Sequence, residues 1–293
     1  MQRGDSFKSY SIGDVAGVVV LFNPEESVIE NILSFSDQVK FLIIVDNSQM
    51  PSAFINDFVS NNKDKTEYIF NGENLGVAAA LNIGAQRAVA GGYSFLLTMD
   101  QDSKAPPGMV SSLLELFQTG SNIGIVSPLH SNKYGTHIKN LDDYVQVYSV
   151  MTSGNLLSLE AYKLVGGFSE DFFIDYVDIE YCFRLNNNKF KIIQLNTVIL
   201  NHNEANLSER KFLFRKYYPL NHSPFRMYYK TRNLLLLRNK FKLFDTVQLR
   251  HEYNLYIRTI VKIILFEKQK FRKIWMCLWG FLGYLKREKG RKF

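Results

Sequence analysis

Apolar residues along the chain fall into short continuous runs, separated by stretches with helical spacing. Residues 15–22 (VAGVVVLF) are apolar throughout and stop at Asn23-Pro24, as a parallel strand buried on both faces does. From Glu25 to Ser36 the spacing becomes helical, with Val28, Ile29, Ile32 and Leu33 on one face. A second run, 39–45, stops at Asp46-Asn47-Ser48, and a third, 67–70, stops at Asn71-Gly72. The stretch 77–90 (VAAALNIGAQRAVA) reads as a long helix with Gly91-Gly92 as its stop signal. Tyr93 to Met99 is a fourth strand that ends at Asp100-Gln101-Asp102. Strands alternating with crossover helices predict an α/β fold whose parallel sheet carries helices on both faces.

The second half is less regular. A Pro-led helix over 106–118 and a strand over 123–128 precede 129–150, which reads as an irregular excursion or hairpin. Residues 151–159 return to the sheet, and a short helix closes at Gly166-Gly167. A helix over 176–186 follows, then strands at 191–195 and 197–202. Beyond 207 the pattern is helical with no strand.

Composition narrows the class. With 46% hydrophobic and 22% charged residues over 293 positions, the chain is neither disordered nor fibrous. Its two cysteines, Cys182 and Cys277, exclude a disulfide framework and point to a reducing compartment. No apolar run reaches the roughly 18–20 residues of a membrane span, and the polar start MQRGDSFKSYSIGD lacks a secretory signal. A protein on the cytosolic side is expected. Charge divides unevenly: residues 1–206 hold 13 Lys+Arg against 23 Asp+Glu, and residues 207–293 hold 22 against 5. That split predicts an acidic body and a basic region that meets an anionic surface.

Ligands of such sheets bind at the carboxyl ends of the strands. Three of the first four strands end in Asn23, Asp46 and Asp100, which should share one edge. In TMDQDS, residues 98–103, two carboxylates stand one residue apart after a buried strand. Their repulsion is commonly offset by a divalent cation, and Mg²⁺ or Mn²⁺ prefers such oxygen ligands.

The ordered set LFNP, VDNS, NLGVAAALNIGAQRA, TMDQDS, SGN and GGFSEDFFIDYVDIEYCFR resembles the family 2 glycosyltransferases, and its details are most similar to their rhamnosyltransferase branch. The resemblance covers roughly residues 15–235. It implies the GT-A fold, a Rossmann-like mixed sheet with helices on both faces. The catalytic domain would be 1–206, with a donor half at about 15–105 and an acceptor half at about 106–206. A basic helical region, 207–293, would associate with membrane. By the same resemblance Asp46, with Asn47 beside it, contacts the nucleotide base and Asn23 lies near the nucleotide. Asn74, Gly76 and Asn82 line the nucleotide-sugar pocket. Asp102 is a direct metal ligand, Asp100 lies nearer the ribose and also serves the metal, and His202 completes the metal shell. Ser153, Gly154 and Asn155 let the sugar approach closely, and Arg232 within YYKTRN reaches the donor diphosphate.

Inverting transfer needs one general base, and the family's position for it is Asp178, where this chain has Val177-Asp178 in place of the family's Glu-Asp. Asp175, three residues earlier, is the alternative base and a neighbour that raises the proton affinity of Asp178. Glu180 reads as a helix-face partner of Arg184 at i,i+4. Phe168 and Phe172 border the acceptor or belong to the core. The resemblance implies transfer of L-rhamnose from dTDP-L-rhamnose to a lipid-linked glycan, an O-antigen or capsule precursor, on the inner face of the membrane. Another nucleotide-sugar donor, or a catalytically silent nucleotide- or glycan-binding tether, are the alternatives.

The basic region carries apolar stretches between cationic flanks, such as Ile274 to Leu285 between Arg272-Lys273 and Lys286-Arg287. That suits an interfacial helix with Trp275 and Trp279 at headgroup level, and packing on the catalytic domain is the competing reading. Basic residues interleaved with Tyr and Phe also suit single-stranded nucleic acid, but no nucleic-acid module is recognisable, and the Leu, Ile and Trp runs favour lipid.

Overall fold

The computed structural model describes residues 9–131, 142–202, 208–212 and 215–293. The chain divides into two compact units, Met1–Phe168 with Tyr181–Asn203, and Ser169–Glu180 with Glu204–Phe293. Residues 169–180 thus group with the C-terminal region rather than with the rest of 1–206.

The first unit is built on a nine-stranded sheet. Its strands are β1 (Val15–Leu21), β2 (Phe41–Asp46), β3 (Thr66–Phe70), β4 (Phe95–Asp100), β5 (Ser103–Lys104), β6 (Ile123–Ser131), β7 (Tyr144–Val147), β8 (Asn155–Ser158) and β9 (Lys191–His202). The order is β3-β2-β1-β4-β8-β6-β9-β5, and β7 pairs with β9. Pairs among β1 to β4 are parallel, whereas β8 runs antiparallel to both β4 and β6. The sheet is thus mixed rather than wholly parallel. β7 is antiparallel to β9 and β6 is parallel to it, so the chain has already reversed by β7, and β8 runs in that same sense.

Helices α1 (Val28–Ser36), α2 (Ala53–Asn61), α3 (Val77–Ala90), α4 (Met109–Thr119) and α5 (Leu159–Val165) belong to this unit. One sheet face, with Val19, Leu21, Ile44 and Leu97, meets Ile32 and Phe35 of α1 in a dry core. Truncating a fully buried Phe such as Phe35 to Ala costs about 3–5 kcal/mol in such a setting. On the other face α3 lies against β1, β2 and β4. Gly84 permits that approach, because a Cβ there would fall 2.3 Å from Val18 Cγ2. The helix α2 is unforeseen by the sequence pattern: its segment is short, broken by Asn56-Asp57, and only Ile55 and Phe58 are buried. The two strands expected on either side of Asn196 are one, because a register shift opposite Pro128/Leu129 absorbs the polar residue. Asn196 Nδ2 then donates to Asp142 O.

In the second unit a short antiparallel hairpin, β10 (Arg210–Phe212) and β11 (Arg215–Tyr217), occupies a stretch expected to have no strand. Three residues per strand are too few for apolar alternation to register. Three helices follow, α7 (Pro224–Phe241), α8 (Thr246–Phe266) and α9 (Lys270–Leu285). Ser223 caps α7 with Pro224 in its first turn, and Asp245 caps α8. Gly280 and Gly283 let α9 sit tightly on α7, since a Cβ at either would overlap Tyr228. The rest of α9 is open: Phe271 is 93% and Trp275 59% exposed. Among the described residues no helix is long and apolar enough to cross a membrane. The helix α6 (Val177–Asn187) begins in the second unit and ends in the first.

Candidate active site

In the first unit the parallel register sets the polar strand ends side by side. Leu21 pairs with Asp46, and Val20 pairs with Asp100. Asn23, exposed and left-handed at φ 46°, turns the chain out of β1 and donates its backbone N–H to Ser48 Oγ at 2.7 Å. Asp46 is 0% exposed, its carboxylate accepting from Ser48 N and from Tyr68 Oη, each at 2.8 Å. Burial and that carboxylate push the Tyr68 phenol well up. Asn47 is also spent on structure, since its amide donates to Gly76 O and accepts from Asn71. Asn74 Oδ1 accepts from Gly76 N at 2.9 Å. Gly76, at φ 89°, then opens α3, whose first N–H groups carry no side-chain cap. Such a terminus suits a diphosphate.

The end of β4 is clamped from the antiparallel side. Ser153 Oγ accepts from Asp100 N at 3.1 Å and donates to Ser103 Oγ at 2.7 Å. Gly154 N donates to Thr98 O at 2.7 Å, and φ of 80° with Leu200 and Pro128 against its Cα leaves no room for a side chain. Asn155 Nδ2 donates to Met151 O, while its Oδ1 is buried without a hydrogen-bond partner. Gln101 ties the same turn to β1 by accepting from Phe22 N at 2.8 Å. Asp100 and Asp102 flank it, both half-buried. Ser103 pairs with His202 across β5 and β9, which brings the His202 backbone beside the turn. The His202 side chain lies outside the described residues. Among the described residues no three His, Cys, Asp or Glu side chains gather as a metal site. Two carboxylates at a strand end are nonetheless the hard oxygen donors that Mg²⁺ or Mn²⁺ takes, so the donor set fits such an ion.

Asp178 lies in the second unit, in the first turn of α6. The loop before it is strained: Phe173, Asp175 and Tyr176 all have left-handed φ, at 57°, 62° and 66°. Each such residue costs on the order of 1–3 kcal/mol, and such residues cluster at functional sites. Helix α7 holds the loop. Asn233 Nδ2 reaches Phe172 O, Ile174 O and Asp175 O at 2.7, 2.8 and 2.9 Å. Arg226 forms a two-pronged ion pair with Asp175, at 2.6 and 3.1 Å. Burial opposes charge on Asp175, but Lys230 and Arg226 outweigh it and hold its carboxyl below the usual range. Asp178, whose Oδ1 accepts from Ile179 N, goes the other way. Burial first, and the Asp175 charge after it, push its carboxyl up to about 6. That is the range of a working base near neutral pH.

The sequence profile of the Glycosyl transferase family 2 matches residues 18–175, more than half of the chain. The chain is a family 2 glycosyltransferase. It is 27% identical over 249 residues to the dTDP-rhamnosyl transferase RfbF of Shigella flexneri, covering 78% of this chain and 80% of that one. It is 23% identical to the low-salt glycan biosynthesis hexosyltransferase Agl10 of Haloferax volcanii, over 96% and 94% of the two chains. Among solved structures, S. aureus TarS aligns with a TM-score of 0.56 at 14% identity over 87% of this chain. GalNAc-T7 with UDP, GalNAc and Mn²⁺ aligns at 0.55 and 11% over 68%. The transferase spans 44% of each of those two chains. Its fold is GT-A.

Several site residues of the transferase have other work than expected. Arg232 is 0% exposed, and its guanidinium donates to Gly290 O, Asp171 O and Asn233 Oδ1 while lying over Tyr228 and Tyr229. It anchors the loop before α6. Asn82 is a latch: its amide bonds Phe168 N and O, and Tyr162 Oη donates to it. Phe168 and Phe172 are core, at 6% and 2% exposure. Glu180 and Arg184 both have tertiary partners beyond the helix. Glu180 is buried on Lys240 at 2.6 Å, while Arg184 donates to the carbonyls of Val165, Gly166 and Gly167. Gln101 and Ser103 stand inside TMDQDS and Asn233 inside YYKTRN, but their positioning contacts left no sequence signal, and Arg226 lies outside every motif.

Proposed function

We propose that this transferase moves L-rhamnose from dTDP-L-rhamnose to a hydroxyl of a lipid-linked glycan, in the assembly of a surface polysaccharide such as an O-antigen or capsule. The observation that carries the reading is Asp178, a carboxylate with raised proton affinity on a strained loop in a chain that also ends β4 with Asp100 and Asp102. The choice of rhamnose is supported by the similarity to RfbF. Similarity over nearly the whole chain to a hexosyltransferase favours another hexose as the second reading.

In this account Asn23, Asn74 and Gly76 border the nucleotide, and the first N–H groups of α3 face the diphosphate. Asp46 and Asn47 shape the end of β2 beneath it. The Ser153–Asn155 turn leaves close approach for the sugar, and Asn155 Oδ1 takes a hydroxyl proton of that sugar in a hydrogen bond. Asp100 and Asp102, with His202, would hold a divalent cation. Such an ion, when bound, neutralises charge on the leaving nucleoside diphosphate. Asp178 takes the proton of the acceptor hydroxyl, whose oxygen bonds to the anomeric carbon. The bond from that carbon to the diphosphate oxygen breaks, and its electron pair leaves with the diphosphate. One displacement inverts the anomeric configuration. A screen of nucleotide sugars with Mg²⁺ or Mn²⁺, followed by linkage analysis, tests the reading. Transfer from dTDP-L-rhamnose with inversion is expected, and turnover only with other donors would remove the rhamnose assignment.

Helices α8 and α9 are proposed to rest on the anionic inner face of the membrane. Exposed Phe271, Trp275, Leu278 and Leu282 lie beside Lys270 and Arg272, in a region with 22 basic and 5 acidic residues. Deleting α9 would strip the packing at Gly280 and Gly283, so the test uses exposed positions only. The Phe271→Ser, Trp275→Ser pair should lower affinity for vesicles containing phosphatidylglycerol by about tenfold or more, with unchanged Tm. Equal binding would leave this face without a lipid role.

A further inference from the structure

Helix α9 is seated on α7 through its second half, at Gly280 and Gly283. Beside its first half lies an open groove of about 1190 Å³, larger than the roughly 300–1,000 Å³ of a small-molecule pocket. Phe271, Trp275 and Leu278, at positions i, i+4 and i+7 of α9, form one apolar stripe of its lining. Ile264 of α8, Phe225 of α7 and Phe293 line it as well. All of these but Phe225 are exposed, so the groove lies open to a ligand.

Charge narrows what fits there. The lining includes two cations, Lys270 and Arg272, and no carboxylate. Among the described residues neither cation forms an ion pair, and Lys270 has only a long contact, 3.5 Å, to Leu265 O. Glu267, the acid nearest to them in the chain, is 4% exposed and turned inward. Its carboxylate accepts from Lys273 Nζ at 2.5 Å and from Asn221 N at 3.1 Å. An apolar trough flanked by exposed cations suits a hydrocarbon chain that ends in a phosphate. A second copy of this face would set cations against cations, in a region with 22 basic and 5 acidic residues.

Contacts within the second unit tie the groove to the catalytic loop. The Phe225 ring lies 4.9 Å from that of Tyr229, and Tyr229 stacks at 5.1 Å on Phe173 of the strained loop. Met276, which also lines the groove, packs against the same aromatic cluster. Next to Phe225, Arg226 holds Asp175 at 2.6 Å, three residues before Asp178. One aromatic layer therefore stands between the groove wall and the loop that carries the base. We infer that the groove holds the hydrocarbon chain of the lipid-linked acceptor, with Lys270 and Arg272 against its phosphate. Holding one chain is a more specific act than the resting of α8 and α9 on a membrane surface. The inference rests on the acceptor being lipid-linked and on Asp178 being the base.

Both tryptophans of the protein, Trp275 and Trp279, stand on α9, so their emission reads the groove. Titrating the full-length protein with farnesyl phosphate, below the concentration at which it forms micelles, should give a saturable change at one chain per protein. Geranyl phosphate, one isoprene unit shorter, should bind about tenfold or more weakly, since each CH₂ left out of apolar contact costs about fourfold in affinity. Farnesol, which lacks the phosphate, should also bind about tenfold or more weakly, and the Lys270→Gln, Arg272→Gln pair should remove that difference. Ile264→Asp, which sets a carboxylate in the lining, should weaken farnesyl phosphate by about tenfold or more. Leu285→Ser, on α9 outside the groove, should bind within about twofold of the parent. Circular dichroism checks folding, and the pair of exposed cations keeps the test open should Ile264→Asp not fold. No saturable change, equal binding of the two chain lengths, or unchanged binding in both the Ile264→Asp and the paired variant overturns the proposal. Displacement of farnesyl phosphate by an equal concentration of dihexanoyl phosphatidylglycerol would mark a general phospholipid site and overturn it too. So would a dimer in sedimentation that Ile264→Asp dissolves, which marks an interface between copies. The reading of the acceptor fails separately: product analysis that finds the sugar on a glycan without a lipid removes the occupant, whatever chain the groove binds.

Discussion

Asp178→Asn loses transfer activity by about 10²–10⁴-fold, the range of a positioned general base, while its affinity for the nucleotide-sugar donor stays within about twofold. Single-turnover transfer and donor titration calorimetry, on the same preparation, measure the two quantities. The raised carboxyl also sets the sign of the stability change. The carboxyl of Asp178 is raised to about 6 in the fold, so the cost to stability grows as pH rises from the ordinary carboxylate range through about 6 and is full above it. The isosteric amide removes that cost, and Tm at pH 8 should rise rather than fall. Lost activity with a raised Tm separates chemistry from unfolding, and it matches the general tension between a strained site and stability. A variant as active as the parent would leave the proton without a receiver.

Asp102→Asn and Asp100→Asn are expected to lose about 10²–10³-fold in transfer rate, as on removal of an electrostatic contact to developing charge. Their donor affinity should become insensitive to Mg²⁺ or Mn²⁺. Titrating donor binding with and without the ion measures this, and a retained metal response in both variants would contradict the role given to the end of β4. The two carboxylates are half-buried at a turn already tied down by Ser153, Gln101 and Ser103. Each amide change therefore tests charge with the backbone clamp left in place.

Much of the scaffold was legible because its signals are local. The apolar runs of β1, β2 and β4 end at the polar residues the sequence marks, and α3 occupies 77–90 as its alanine-rich spacing predicts. The strand direction of β8 was not legible, since a four-residue run has the same pattern in either sense. The hairpin of β10 and β11 was too short to leave a period. Site residues divided along the same line. Asp100, Ser153 and Gly154 sit together because adjacent strands force them to. The structural contacts of Arg232 and Asn82 were not legible, because a buried polar side chain takes whichever backbone groups the tertiary fold presents, and sequence spacing does not encode those.

The pH dependence of single-turnover transfer by the unmodified enzyme, at saturating donor and metal, tests the central claim most directly. With Asp178 as base, the rate should be present above and lost below a midpoint near pH 6, where burial and Asp175 place its carboxyl. The residual rate of Asp178→Asn should lack that bend. A rate that holds flat down to about pH 4.5, or a bend that survives in Asp178→Asn, would contradict the account.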